Sequence, residues 1–310
     1  MIFFVQNGMT RFKNSLYLAI FFVVAGCTKN NVHPTATEDA DTIPAFLKER
    51  HQNDVVDLYI FAGQSNCGRP QFPGNGATGP VATTAQLSLY DSAIRNFQIY
   101  NPGYDTLAFH DLQAGINTML VNYLTTTEMG AEVSFFKAMK DSSGLKEAYL
   151  IKYGYGNTDL AESWLNVYKY DLYRYTDKAI RLLVQQKKIP VLKGFIWMQG
   201  ENDATDSIWA SQYQANLQTF FSGFDQFYTA DMLSLGLGSP PYIKVIGRIN
   251  GIEDPSEIYR NAVRSGEESF CVANQHSFLI NTDNYPLFGG VHYTLSGQIQ
   301  FGLDIYDVLK

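Results

Sequence analysis

The sequence predicts an α/β fold, a three-layer sandwich in which helices cover both faces of a central, mostly parallel sheet of five strands. Short apolar runs, many of them followed by glycine or polar residues, recur along the chain. Longer stretches with helical spacing separate them in regular alternation. Alternating strands and helices predict parallel strands joined by crossover helices, and therefore one doubly covered sheet.

Five apolar runs are predicted to be the strands. They are residues 55–62, 147–153, 191–198, 242–249 and 277–281. The first reads VVDLYIFA and ends at Gly63. A largely apolar run of this length, closed by a glycine, is typical of a strand that is buried on both faces.

Helical periodicity predicts the elements between and after these strands. The helices are residues 132–140, 172–186, 207–228, 255–270 and 295–309. In the longest, residues 213, 217, 220, 221 and 224 are all Tyr, Leu or Phe, which gives one apolar face. Residues 69–127 are rich in Gly, Asn, Thr and Tyr and poorly periodic, so we expect loops over the sheet edge.

The N-terminal segment predicts an export signal. Arg11 and Lys13 precede an apolar run at 16–24, which is shorter than the roughly 20 residues that span a bilayer. The run ends in Val-Ala-Gly before Cys27, which resembles a bacterial lipobox and implies cleavage before Cys27 and acylation of its sulfur. An ordinary signal peptide with an unrelated cysteine is the alternative.

These features predict three parts of the chain. They are a signal peptide (1–26), a polar tether (27–53) and one folded domain (54–310). The predicted location is the bacterial cell envelope, periplasmic or outer-membrane surface, with the membrane contacted only through the lipid anchor.

Composition excludes some classes of protein. The 310 residues contain 23 Lys and Arg against 30 Asp and Glu, a net charge of −7, so a nucleic-acid partner is not expected. Hydrophobic residues at 45% and charged residues at 17% provide a sizeable core. Three cysteines cannot form a disulfide scaffold, although Cys67 and Cys271 could pair.

Four polar segments fall at predicted strand ends or helix starts, at residues 63–66, 129–132, 197–203 and 289–294. Ser65 follows the first strand, where a sharp turn exposes a hydroxyl at the carboxyl edge of the sheet. Gly130 precedes a helix, where a backbone N–H can stabilise an oxyanion. Taken alone, each segment also fits a structural turn, loop or helix cap.

The other two segments supply amides, acids and an imidazole. Gln199 and Asn202 can donate amide hydrogens to an oxyanion, and Glu201 and Asp203 can orient a histidine. His292 follows two glycines and precedes a helix, a suitable position for a general base.

In this order, the four segments resemble those of the SGNH (GDSL-like) hydrolases. The Gly-Gln-Ser-Asn and Trp-x-Gln-Gly-Glu-x-Asp forms are similar to the sialate O-acetylesterase and acetylxylan esterase branch, over residues 57–309. The resemblance implies a flavodoxin-like fold and a serine esterase. Its substrate would be an acetylated oligo- or polysaccharide, and it would need no metal or cofactor.

The resemblance also implies residue roles. Ser65 is the nucleophile and His292 the base that returns the proton to the sugar alcohol. The backbone N–H groups of Ser65 and Gly130 bind the oxyanion, with a side-chain amide from Gln199 or Asn202. Cys67 stands where the family commonly has methionine and is expected only to pack.

The position of the triad acid departs from the family pattern. Gly289 stands three residues before His292, where the superfamily usually has aspartate. Glu201 is the first candidate for the acid, Asp283 the second, and a Ser–His dyad assisted by a backbone carbonyl the third.

The alternative function is a catalytically degenerate glycan-binding lipoprotein, and a thioesterase or lipase of the same superfamily is a weaker one. Further residues that could line the pocket are Arg69, Tyr104, His110, Asn157, Thr158 and Trp164.

Overall fold

A computed structural model describes residues 54–67, 84–90, 92–102, 108–114, 129–250 and 257–310. All of them belong to one compact unit, Asp41–Lys310. The predicted signal peptide, the tether and the lipidation site Cys27 lie outside the described residues, as do Arg69 and Tyr104.

The central sheet has seven strands within the described part of the chain, in the order β3-β2-β4-β1-β5-β6-β7. The strands are β1 Val55–Gly63, β2 Ile94–Tyr100, β3 His110–Leu112, β4 Ala148–Gly154, β5 Ile189–Met198, β6 Ile243–Gly247 and β7 Ser277–Ile280. Neighbouring strands pair in parallel, except that β3 is antiparallel to β2. The predicted α/β class with a mostly parallel sheet is confirmed.

The predicted count of five strands is too low. The five predicted runs became β1 and β4 to β7, while β2 and β3 come from the segment expected to be loops. Asn96 interrupts β2 with a φ of 67°, and the pairing of β2 with β3 shifts register between Ile94 and Gln98. This irregularity breaks the apolar periodicity from which a strand is predicted.

The α-helices of the described residues are α1 Thr84–Tyr90, α2 Ala131–Ser142, α3 Lys169–Gln185, α4 Ser207–Ser234, α5 Glu257–Ala273 and α6 Leu295–Leu309. The last five lie close to their predicted positions, whereas α1 comes from the segment expected to be loops. A π-helix, Leu160–Tyr168, leads into α3, and a 3-10 turn, Asp203–Thr205, precedes α4. Of the helices in the described ranges, none combines the length and the apolar character needed to cross a bilayer.

Aromatic packing attaches helices to both faces of the sheet. On one face, the Tyr59 ring of β1 meets Phe135 of α2 edge-on, with ring centroids 5.2 Å apart. On the other face, the ring centroids of Trp197 of β5 and Phe220 of α4 are 4.4 Å apart. Both contacts bury large apolar surfaces, the main favourable contribution to folding.

The strand register brings three loops to one edge. Gly63 at the end of β1 is level with Gly154 of β4 and with Met198 of β5. Because parallel strands end at the same edge, the residues that follow them are neighbours in space although they are far apart in sequence. This edge carries the site described next.

Candidate active site

The turn after β1 requires a glycine. Gly63 has a φ of 145°, and a Cβ there would lie only 2.0 Å from the Met198 carbonyl oxygen. The Gln64 N–H donates to that same oxygen at 2.9 Å, so the chain can leave β1 and still contact β5. Ser65 follows in this turn and is 5% exposed.

The structure brings Ser65 and His292 together. Ser65 Oγ lies 3.0 Å from His292 Nε2, although 227 residues separate them. His292 lies on a short strand, β9 His292–Tyr293, which pairs with β8 Leu287–Phe288. Gly289 and Gly290 have positive φ angles of 59° and 74° and form the turn of this hairpin.

Asn66 connects the serine turn to the histidine segment. Its Nδ2 donates to the Val291 carbonyl at 3.0 Å, and its Oδ1 accepts from the Tyr293 N–H at 3.0 Å. Both backbone neighbours of His292 are therefore held by the residue that follows Ser65. The same Nδ2 donates to Glu201 Oε1 at 2.5 Å. The sequence alone predicts no role for Asn66, and its position directly after Ser65 is the signal that points to one.

Glu201 is buried behind Asn66. Burial raises the pKa of its carboxyl to about 7, while the hydrogen bond from Asn66 opposes the shift. One oxygen accepts from Asn66, and the other has no hydrogen-bond partner within the described ranges. No hydrogen bond therefore joins this carboxyl to the His292 ring, and its direct role as the triad acid stays a prediction.

Asp283, the second candidate for the acid, is held by two arginines. Its Oδ1 accepts from Arg264 at 2.6 Å and its Oδ2 from Arg248 at 2.5 Å. With both oxygens in ion pairs, the side chain is directed to the guanidinium groups, and none of its described hydrogen bonds involves the imidazole.

Gln199, one of the two residues predicted to donate an amide hydrogen to the oxyanion, is unsuited to that role. The side chain is completely buried, and its Nε2 donates to the Thr158 carbonyl at 2.8 Å and to Asp203 Oδ2 at 2.6 Å. The Tyr213 hydroxyl donates to its Oε1 at 3.1 Å. Its amide hydrogens are therefore used inside the protein.

Asn202, the other predicted amide donor to the oxyanion, differs from Gln199 in that its side chain is only half-buried. Its backbone N–H donates to Gln64 Oε1 at 3.4 Å, and the Gly200 N–H donates to the same oxygen at 3.2 Å. Gln64 precedes Ser65, so these bonds tie the loop after β5 to the serine turn. The half-buried Asn202 side chain has no hydrogen bond with any residue that the structure describes, which leaves its amide available.

Gly130 lies at the start of α2, as predicted, with its N–H directed to an acid. That N–H donates to Glu132 Oε1 at 3.3 Å, and the same oxygen accepts from Lys152 Nζ at 2.8 Å. Gln298 accepts from the Ala131 N–H and donates to the Asn66 carbonyl, so the start of α2 is connected to the serine turn. An oxyanion at Gly130 would compete with Glu132 for the same hydrogen.

The other predicted pocket residues fall into two groups. Trp164 and Thr158 are buried, whereas Asn157 is exposed and His110 on β3 is half-buried.

Cys67 and Cys271 are free thiols, and burial raises the pKa of each to about 12. Within the described ranges, no three or more His, Cys, Asp or Glu side chains are grouped as metal ligands.

A comparison with protein families gives the chemistry of the chain. The family described as "carbohydrate esterase, sialic acid-specific acetylesterase" matches residues 55–309. The chain belongs to this family. This carbohydrate esterase is therefore an ester-hydrolysing enzyme, and the match covers all four segments that carried the resemblance.

Solved structures share the fold of this carbohydrate esterase. A protein from Arabidopsis thaliana is 17% identical with a TM-score of 0.59, over 82% of this chain and 97% of that one. NanS is 13% identical with a TM-score of 0.54, and the match covers 82% of this chain and 98% of NanS. No curated protein matches the sequence. Both structural likenesses agree with the predicted SGNH-type fold.

Proposed function

We propose that this carbohydrate esterase removes acetyl groups from sugar hydroxyls, with Ser65 as nucleophile and His292 as general base. The observation that carries the proposal is the 3.0 Å separation of Ser65 Oγ and His292 Nε2 at the carboxyl edge of the sheet. A serine hydroxyl is a weak nucleophile unless a base takes its proton, and a hydrogen bond of this length allows the transfer.

The proposed reaction has two halves. Ser65 Oγ attacks the acetyl carbonyl carbon while its proton passes to His292 Nε2. The tetrahedral intermediate then breaks its bond to the sugar oxygen, which takes the proton from His292 and leaves as the alcohol. Water next attacks the acetyl-serine while His292 takes its proton. The ester bond to Ser65 then breaks, His292 returns the proton to Ser65 Oγ, and acetate leaves.

The negative oxygen of each intermediate needs hydrogen-bond donors. We assign the Ser65 backbone N–H and the Asn202 side-chain amide to this role. Neither donates a hydrogen bond to any residue in the described ranges, whereas the amide of Gln199 is fully used. Donors that are already in position cost little reorganisation when the charge develops.

Asn202→Ala is expected to lower kcat by about 10²-fold with little change in KM, because the donor acts mainly on the transition state. Acetate release from O-acetylated N-acetylneuraminic acid measures the effect. Asn274→Ala is the control, because Asn274 directly follows α5 and its side chain donates to Gln218 and Phe270, both outside the four segments of the site. Full activity of Asn202→Ala would remove this residue from the oxyanion site.

We propose that Glu201 acts on His292 through Asn66. The carboxylate accepts from Asn66 Nδ2, and Asn66 in turn fixes the backbone on both sides of His292. Glu201 is thus a positioning residue in this proposal.

The pH dependence follows from the state of His292. The imidazole must be neutral to accept a proton, and burial lowers its pKa below the ordinary 6.5. We expect kcat/KM to fall on the acid side, with a midpoint below 6.5. Initial rates between pH 4 and pH 9 test this, and Glu201→Gln, which removes a group with a pKa of about 7, should keep the same acid limb. A profile without an acid limb would contradict the role of His292.

The export signal, the lipid anchor at Cys27 and the cell-envelope location remain proposals that rest on the sequence alone.

A further inference from the structure

The backbone of an exposed tyrosine lies next to the turn that carries the nucleophile. Tyr155 directly follows β4, and its N–H donates to the Gly63 carbonyl at 2.9 Å, two residues before Ser65. Its side chain is 41% exposed although both neighbours in sequence are buried. A large aromatic ring is therefore held at the rim of the site.

The Tyr155 ring is fixed before any substrate arrives. It stacks on Tyr168 of the π-helix, with ring centroids 4.5 Å apart and an interplanar angle of 24°. The Thr158 hydroxyl donates to the Tyr155 carbonyl at 2.7 Å and accepts from Trp164 Nε1 at 3.0 Å. Because backbone and ring are both held, a ligand that contacts the ring loses little binding energy to ordering it.

A second exposed aromatic lies beside the base. Phe288 of β8 is paired directly with His292 across the hairpin and is 47% exposed. Side chains of directly opposed residues in an antiparallel pair lie on the same face, about 5 Å apart at Cβ. An exposed ring therefore belongs to a residue next to the Ser65 turn, Tyr155, and another to the residue paired with His292, Phe288.

We propose that Tyr155 and Phe288 form the sugar-binding subsite of the active site, an inference that rests on the proposed function. The axial C–H bonds of a pyranose ring are weakly positive, and the faces of aromatic rings are negative, so a sugar ring stacks on such a face. A sugar held by these two rings would present an acetylated hydroxyl to Ser65. The exposed Asn157 amide, two residues after Tyr155, can contact the remaining hydroxyls.

Four other exposed apolar side chains lie on elements that do not carry the Ser65–His292 pair. Leu233, Ile258 and Val272 lie on α4 or α5, and Phe278 lies in the edge strand β7. Phe278 is 46% exposed, which makes it a matched control for Phe288.

The test compares two acetate esters that differ in the alcohol. O-Acetylated N-acetylneuraminic acid carries a sugar ring, and ethyl acetate does not. Acid release is followed by titration for the wild type and for Tyr155→Ala, Tyr155→Phe, Phe288→Ala and Phe278→Ala. For the sugar ester, we expect Tyr155→Ala and Phe288→Ala each to raise KM by about tenfold with a smaller change in kcat.

The ratio of the two substrates distinguishes a subsite from a structural role. The loss in kcat/KM with ethyl acetate should be several times smaller than with the sugar ester. Tyr155→Phe, which keeps the ring, should behave like the wild type, and so should Phe278→Ala. Equal losses on both substrates, or an unchanged KM for the sugar ester, would overturn the subsite.

Failure of the proposed function would look different. If the wild type hydrolyses ethyl acetate and no sugar ester, the proposed function fails and the subsite fails with it. If the wild type hydrolyses the sugar ester and both alanine variants match it, only the subsite is overturned.

Discussion

Ser65→Ala is expected to lower kcat for acetylated sugars by about 10⁶-fold, the scale of loss when the nucleophile of a serine hydrolase is removed. Without the hydroxyl, no acetyl-enzyme can form, and His292 can only assist direct attack by water. KM should change little, because Ser65 contributes small binding surface at 5% exposure. Acetate release by the purified variant measures the effect.

The control for this prediction is Ser211→Ala. Ser211 is an exposed residue of α4 whose hydroxyl donates to the Ile208 carbonyl, so its removal should leave activity unchanged. A serine-directed phosphonate should label the wild type and spare Ser65→Ala. Full activity of Ser65→Ala would disprove its role, and a wild type that binds acetylated glycan without reacting with the phosphonate would favour the degenerate glycan-binding alternative.

Asn66→Ala is expected to lower kcat by about 10³-fold, because the His292 segment loses the side chain that holds its backbone on both sides. The truncation also leaves Glu201 and the Tyr293 N–H without their partner. Buried polar groups without partners cost about 1–3 kcal/mol each, so the free energy of unfolding should fall as well. Rates are therefore compared at a temperature at which the variant is folded, as judged by denaturant titration.

A second variant separates positioning from a direct acid role for Glu201. Glu201→Gln keeps an oxygen that can accept from Asn66 Nδ2, so a positioning residue tolerates the change with about a tenfold loss or less. If Glu201 contacted the imidazole as a triad acid, the same change would cost about 10⁴-fold. Asn66→Ala with near-normal kcat would disprove the positioning role of Asn66.

The main parts of the fold were predictable from the sequence because their signals are local. β1 and β5 are largely apolar runs, and α6 begins and ends where its periodicity does. β2 and β3 were missed because Asn96 and a register shift interrupt the pattern, and because β3 has only three residues. Short or irregular strands are recognised through the strands with which they pair, which sequence periodicity does not show.

The candidate site was predictable in its residue types and less so in its contacts. The approach of Ser65 and His292 was expected, since strand ends of a parallel sheet share an edge. The choice between Gln199 and Asn202 was open, because both are amides beside Glu201 and the sequence does not show which one faces inward. Burial of Gln199 against Asp203 supports the proposal that Asn202 is the donor.

By itself, the sequence determined the alternation of β1 and β4 to β7 with helices, the glycine turn that leads to Ser65 and the family to which the enzyme belongs. Only the tertiary structure decided which polar atoms meet. Asn66 reaches Glu201 across 135 residues, and Asp283 turns to two arginines. A hydrogen bond depends on distances near 3 Å and on direction, so its partners are set by how distant loops pack rather than by spacing along the chain.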